Sequence, residues 1–223
     1  MRTKTIVAAA VATAAFGSAA EANAATIGVN GACFIEGGQV VAAGNGFSPG
    51  GPVNYSFDGA LSASGVADPG GNVNQTLVAP TLTGSTIQHT YSLAAQDQTN
   101  PANAATASVT VTKLTATLKP RRAKPARKVK FGIHGMPPGR TVWLHYVFHG
   151  KSRATKKIGK PEAPCGTLTV RKRFFPMSHP KTGTWTFQFD NKRKYSASNR
   201  PAIRGQVLIF KTFRSTAAKI SGF

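Results

Sequence analysis

Gly46-Phe47-Ser48-Pro49-Gly50-Gly51-Pro52-Val53 and Gly135-Met136-Pro137-Pro138-Gly139-Arg140-Thr141-Val142 are two copies of one turn, offset by 89 residues. Gly46, Pro49, Gly50 and Val53 recur as Gly135, Pro138, Gly139 and Val142, and Phe47 is answered by the large apolar Met136. Proline presets φ and glycine supplies positive φ, so a Pro-Gly pair between two apolar runs is turn chemistry. The flanking runs alternate as strands do: Val40–Ala43 and Asn54–Phe57 around the first copy, Val129–Ile133 and Trp143–Phe148 around the second.

The correspondence continues beyond the turn. Residues 71–80 (GNVNQTLVAP) resemble 166–176 (GTLTVRKRFFP) with one insertion, and 90–97 (TYSLAAQD) resemble 184–190 (TWTFQFD). Residues 107–112 and 206–210 read as closing strands. A repeat of about 90 residues is too long for a solenoid unit and fits a whole small domain. Each copy shows about seven short strands between Gly, Pro, Asn and Asp turns, and neither shows a run at helical spacing. The reading is all-β: two tandem immunoglobulin-like β-sandwich domains, 25–112 and 113–223, meeting near Thr112. Trp143 and Trp185 are the expected core anchors of the second domain, and Phe57, Tyr91 and Leu93 those of the first. Phe174 and Phe175 are expected to be half in the core. The basic, proline-containing stretch 119–128 reads as an extended connection that does not pack.

Charge divides along the same boundary. Residues 25–112 contain no Lys or Arg and carry Glu36, Asp58, Asp68 and Asp97, a formal charge of −4. Of the chain's 28 Lys and Arg, Arg2 and Lys4 lie at the N-terminus; the other 26 fall after Thr112, against only Glu162 and Asp190. Two surfaces of opposite character result, and the basic one calls for an anionic partner or a counterion atmosphere.

Residues 1–24 have the pattern of a cleaved export signal. Arg2 and Lys4 precede an apolar run, Ile6–Phe16, and Ala22-Asn23-Ala24 has the small-x-small form of a cleavage site. The mature chain is expected to contain no membrane span, lipid-bearing Cys or sorting tail. Export permits a disulfide between Cys33 and Cys165 that would tie the two domains together. The alternative is two buried free thiols, and geometry decides between them.

The GxGFxPG turn of residues 44–50, preceded by Cys33 and followed by Asp58-Gly59, resembles exported tandem Ig-like proteins of high-GC Gram-positive bacteria. The second half is similar to a companion domain of the same family, through residues 142–147, Pro164-Cys165-Gly166 and 183–190. The resemblance covers most of the mature chain and implies a fold but no catalytic role.

Catalytic readings are poor. The acids of the first domain lie at turns, where Asp caps backbone, and the second domain offers no pair of carboxylates. There is no GxSxG elbow. Cys165 with His134, His145, His149 or His179 is the remaining nucleophile–base combination, and it lacks a recognisable active-site signature. His145 and His149 share a strand face but lie about 13 Å apart, too far to chelate one ion; His134 on a neighbouring strand could add to His145. No metal and no cofactor is expected.

The basic surface is the functional lead. Its candidate anion-binding residues are Arg121, Arg122, Lys124, Arg127 and Lys128 in the connecting stretch, Lys156 and Lys157 on a hairpin, Arg171, Lys172 and Arg173 on a strand, and Lys192, Arg193 and Lys194 in a loop. For an exported protein the matching partners are teichoic acids, other anionic glycopolymers, anionic lipid headgroups or extracellular DNA. A non-catalytic, secreted or envelope-associated binding protein is the expectation. An adhesin or assembly component making protein contacts is the alternative, and a surface tuned only for solubility is the bland reading. The strand 141–149 is apolar on both faces; its second face is expected to be covered by the first domain or by a partner, an interdomain contact being the simpler of the two.

Overall fold

The computed structural model describes residues 24–177, 179–212 and 215–222. All but the last residue of the expected export signal lies outside that set. The first half folds as β1 (Thr26–Val29), β2 (Phe34–Ile35), β3 (Gln39–Asn45), β4 (Pro52–Phe57), β5 (Ala60–Val66), β6 (Val73–Val78), β7 (Gln88–Asp97) and β8 (Ala104–Thr112). The second half repeats that plan as β9 (Thr115–Lys119), β10 (Arg122–Ala123), β11 (Lys128–His134), β12 (Val142–Phe148), β13 (Lys151–Gly159), β14 (Leu168–Arg173), β15 (Gly183–Asp190) and β16 (Ala202–Thr212). It then adds one more strand, β17 (Ser215–Gly222).

Each half is a two-sheet sandwich of immunoglobulin-like order. The first stacks a three-stranded sheet, β1-β3-β6, on a five-stranded one, β2-β8-β7-β4-β5. The second stacks β9-β11-β14 on a six-stranded sheet, β10-β17-β16-β15-β12-β13. In the first, β2 pairs directly and in parallel with β8. In the second, β17 inserts between β10 and β16 and pairs antiparallel with both. The closing strand expected over 206–210 lies within β16, and β17 after it is a strand that the repeat does not predict.

The cores are separate. One cluster runs from Val40 to Val111 and holds Tyr55, Phe57, Leu77 and Leu93; the other runs from Ala116 to Ala218. The second is aromatic: Phe174, Phe175, Phe187 and Trp185 pack edge to face at centroid distances of 5.1 to 5.7 Å. The Trp185 indole N–H donates to the carbonyl of Lys181. Burying each such ring contributes about 2–3 kcal/mol.

The repeated turns close in the same way. Gly46 and Gly135 have φ of 85° and 77°, and Gly50 and Gly139 have 67° and 72°. The interlock that follows is tighter. Gly71 and Gly166 stand at positive φ directly against the carbonyl oxygens of Phe47 and Met136, where a Cβ would overlap that oxygen. Phe47 and Met136 are themselves buried in the two cores. Each interlock joins the β3–β4 or β11–β12 turn to the chain entering β6 or β14, and so ties one sheet to the other.

The halves meet at Lys113 and Leu114. Cys33 and Cys165 form a disulfide across the junction, with Cα atoms 5.2 Å apart and a separation of 132 residues. Cys165 therefore has no free thiol to serve as a nucleophile. The Glu36 N–H donates to the Thr112 carbonyl, and Ile35 of the first half approaches Gly135 of the second.

Several expectations need correction. Trp143 is not a core anchor; it is half-exposed on the outer face of the large sheet, and Trp185 alone occupies the core. Tyr91 only borders the first core, and Tyr55 fills it. Phe174 and Phe175 are wholly buried rather than half so, because the bend ending β14 turns both inward. The 119–128 stretch does pack: Ala123 and Pro125 are buried, and the carbonyls of Pro125 and Arg127 accept from the N–H groups of Phe175 and Phe174. Charge at its exposed positions did not prevent its small residues from sealing the sandwich edge.

Gly166→Ala should cost about 3 kcal/mol in denaturant unfolding, since it combines strained φ with backbone overlap. Gly150→Ala, at φ 74° with nothing within 4 Å of the new Cβ, should cost only about 1 kcal/mol. Replacing Cys33 and Cys165 by Ser should lower stability by about 4–5 kcal/mol in the chain-entropy account, and non-reducing peptide mass spectrometry of the unaltered protein should recover the two as one linked pair.

Candidate functional site

The sandwich distributes the candidate cations over two opposite faces and both edges of the large sheet. On the small sheet, Lys128 lies opposite Arg173, Lys130 opposite Arg171, and Lys119 on the other side of Lys130. The side-chain period of two sends all five to the solvent face, because Val129, Phe131 and Leu118 between them are buried. Lys172, on the alternate parity beside Val129, turns toward the core side and is half-buried. The triplet Arg171-Lys172-Arg173 is thus not one cluster.

Lys192, Arg193 and Lys194 lie on the far side of the molecule. Their loop, residues 191–201, folds over the outer face of β12 and β15. The Arg193 guanidinium lies 5.8 Å from the Trp143 ring centroid, and the Tyr195 ring stands 5.6 Å from that of His145. This loop, and not the first domain, covers the second apolar face of β12. The loop's length let the domain seal its own face.

Beneath that loop is a buried polar network. The His145 Nε2–H reaches both Asp190 Oδ1, at 3.2 Å, and the Lys192 carbonyl, at 3.0 Å. The other ring nitrogen lies 2.9 Å from Thr155 Oγ1. Asp190 also accepts from the Lys192 N–H and from the Gln188 and Asn199 amides. A Thr–His–Asp chain of this form has the connectivity of a nucleophile relay. Here the Lys192 carbonyl competes for the imidazole N–H, and Asp190 holds the loop at Lys192 and Asn199, so the network is a staple. His134 lies on β11 in the opposite sheet, and it does not join His145. Burial holds its imidazole below the usual range. Among the described residues no group of three potential metal ligands assembles.

Arg121, Arg122, Lys124 and Arg127 follow the crossing strand β10 along the edge of the sandwich. Arg122 stacks over Phe210 at 5.6 Å. Lys157 is exposed and Lys156 half-buried on β13, the free edge of the large sheet, together with exposed Lys151 and Arg153. Cations on a free edge block strand addition, so this group has a structural reason to exist. Lys119 and Lys130 were missed as a pair because their partnership depends on strand register, which no local motif encodes.

His89 contacts Asp58 and His145 contacts Asp190, and among the described residues no Lys or Arg is paired with a carboxylate. The acids serve the backbone. Asp58 accepts from Ser92 N–H, Asp68 from Gly70 and Asn72, and Glu36 from Leu82. Asp97, the repeat counterpart of Asp190, accepts from the N–H groups of Ser48, Thr99 and Asn100. Burial alone would push its carboxyl up, but these bonds and the Ser48 hydroxyl outweigh burial and hold it far below the usual carboxylate range.

No family model and no curated protein matches the chain. Among solved structures it is similar to the human OSCAR ligand-binding domain, at 10% identity and TM-score 0.32 over 81% of this chain and 93% of that one. It is also similar to a tetra-tandem repeat in the extending region of a large adhesion protein, at 15% identity and TM-score 0.29 over 87% of this chain and 56% of that one. A third likeness is to a bacterial ice-binding adhesin, at 16% identity and TM-score 0.26 over 82% of this chain and 62% of that one. Overlap this loose says nothing about what this chain binds.

Asp97→Ala should lower stability at neutral pH by about 2–3 kcal/mol, because three N–H groups lose their acceptor. The folded carboxyl titrates below the unfolded one, so its contribution is present above about pH 4 and is lost as pH falls through the folded value. Denaturation curves of the unaltered and Ala forms should therefore converge in acid.

Proposed function

We propose that this is a secreted, non-catalytic binding protein, akin to exported tandem Ig-like proteins, whose basic second domain holds an anionic polymer of the cell envelope. The unpaired cations of that domain carry the reading. Lys and Arg in residues 113–223 number 26 against two acids, of which Asp190 is buried inside the loop staple, and among the described residues none of these cations pairs with a carboxylate. Cations in such density raise the domain's self-energy unless an external anion neutralises them. The disulfide fits an oxidising compartment. Among the described residues no helix is long and apolar enough to cross a membrane. The engagement of Asp58, Asp68, Asp97 and Glu36 with backbone N–H groups, and of Cys165 in the disulfide, supports a non-catalytic role. The first domain serves as the outward spacer.

A second reading, an adhesin or assembly component, draws on one observation. Strand β5 is a free sheet edge with no charged residue, and it exposes Leu61 at 67% and Val66 at 68%. Its counterpart β13 is protected by cations. An unprotected edge can accept a strand from a partner protein.

Mature protein should pellet with intact cell walls and stay in solution with walls stripped of their anionic polymers. Raising salt from about 50 to about 500 mM should release it, as counterion competition demands. Pelleting indifferent to both treatments would favour the β5 edge and a protein ligand.

A further inference from the structure

The small sheet of the second domain has an outer face whose charges are arranged too specifically for a solubility coat. Lys119, Lys130 and Arg171 form one row across all three strands, and Lys128 and Arg173 form the next row. Directly opposed like charges destabilise a sheet. Every opposed pair in these two rows is cationic, and the outward positions of the three strands hold no acid; Glu162, bridged to Thr167 outside the strand, sits about 13 Å from Arg171. Lys119, Arg171 and Arg173 lie on the outer strands β9 and β14, but Lys128 and Lys130 lie on the central strand β11, where edge protection does not explain them.

The spacing defines the ligand. Neighbouring cations stand about 5 Å apart across the strands and about 7 Å apart along them. A polymer that meets both spacings carries one anion per short repeating unit, as a polyol phosphodiester does. A glycan with one carboxylate per disaccharide spaces its charges more widely. Beside the ladder, Gly132 lies between Thr117 and Thr169, and its missing side chain lets the Thr117 hydroxyl lean over it, where a Cβ would stand. Open grooves of about 790 and 540 Å³ adjoin at Lys119, the first also lined by Lys113 and Arg121 and the second by Lys130 and Arg171. The outward positions are Lys, Arg, Thr, Gly and His134, with no Phe, Tyr or Trp. Single-stranded nucleic acids are held on aromatic platforms, and this face offers none.

Resting on the polymer-binding reading above, the geometry points to the outer face of β9-β11-β14 as the binding track for a linear polyol-phosphate chain. Lys119, Lys130 and Arg171 clamp successive phosphodiesters, Lys128 and Arg173 extend the track, and Thr117 and Thr169 are placed to bond the polyol. Lys192–Lys194, on the opposite face, cannot engage the same segment.

The experiment uses the full mature chain, poly(glycerol phosphate) of defined length as probe, and hyaluronate and oligothymidylate of matched charge as comparators. Lys130→Gln/Arg171→Gln should weaken probe binding about 20-fold at about 100 mM salt and reduce the salt slope by about 1.4. The same variant should unfold about 3 °C higher, because opposed like charges are removed. Lys151→Gln/Arg153→Gln, an equal charge change on β13, should alter binding less than about threefold. Equal losses in the two variants would overturn the track and leave polymer binding through net charge standing. Tighter binding of oligothymidylate or hyaluronate than of the probe would overturn the choice of polymer. Failure of the unaltered chain to bind the probe while it still pellets with walls would overturn this inference alone; failure in both would remove the polymer-binding reading itself.

Discussion

The contact on which both sandwiches depend is the approach of a glycine to a buried carbonyl: Gly71 on Phe47 and Gly166 on Met136. Two sheets packed only by side chains can slide, since hydrophobic burial is non-directional. At these points backbone meets backbone, and the large side chain of the same residue is driven into the core. In the second domain, Cys165 immediately precedes the interlocking glycine, and the N–H of Gly135 donates to its carbonyl. The disulfide to the first domain is thus anchored on the most constrained point of the second. The relation between the halves inherits the rigidity of that turn.

On this shared frame the two copies diverge wherever the frame does not dictate the residue. The Asp closing β7 caps a turn, whereas the Asp closing β15 staples a long loop through His145. One edge strand is apolar and uncharged; its counterpart is cationic. The loop over β12 covers the large sheet of the second domain, and this leaves the small sheet as its open, regular face. One sheet carries the internal polar network and the other carries the ordered external charge.

The fold was legible because its strongest constraints are local. Positive-φ glycines, Pro-Gly turns and short alternating runs reveal themselves within eight residues, and their recurrence exposes the duplication. What was not legible depends on non-local choices. Trp143 and Trp185 read alike along the chain, and only the register of β12 against β15, together with the 191–201 loop, decides which enters the core. Strand β17 escaped because its sequence is small and weakly apolar. The basic residues were visible as runs, yet a run on a strand alternates faces, so Lys172 separates from Arg171 and Arg173. Lys119 and Lys130, far apart in the sequence, become neighbours.

That regrouping bears on the charge asymmetry. Two domains tied by a disulfide cannot move apart to relieve repulsion, so a second basic domain would load the junction with like charge. A first domain of −4 beside one of +24 avoids this. It also leaves the groove beside β9, bounded by residues 84–87 of the first domain, without competing cations on that wall. The Lys113 ammonium crosses the groove to the Gly84 carbonyl, fastening the neutral wall to the charged one. The uncharged composition of the first half is therefore part of the same electrostatic arrangement as the cation rows of the second.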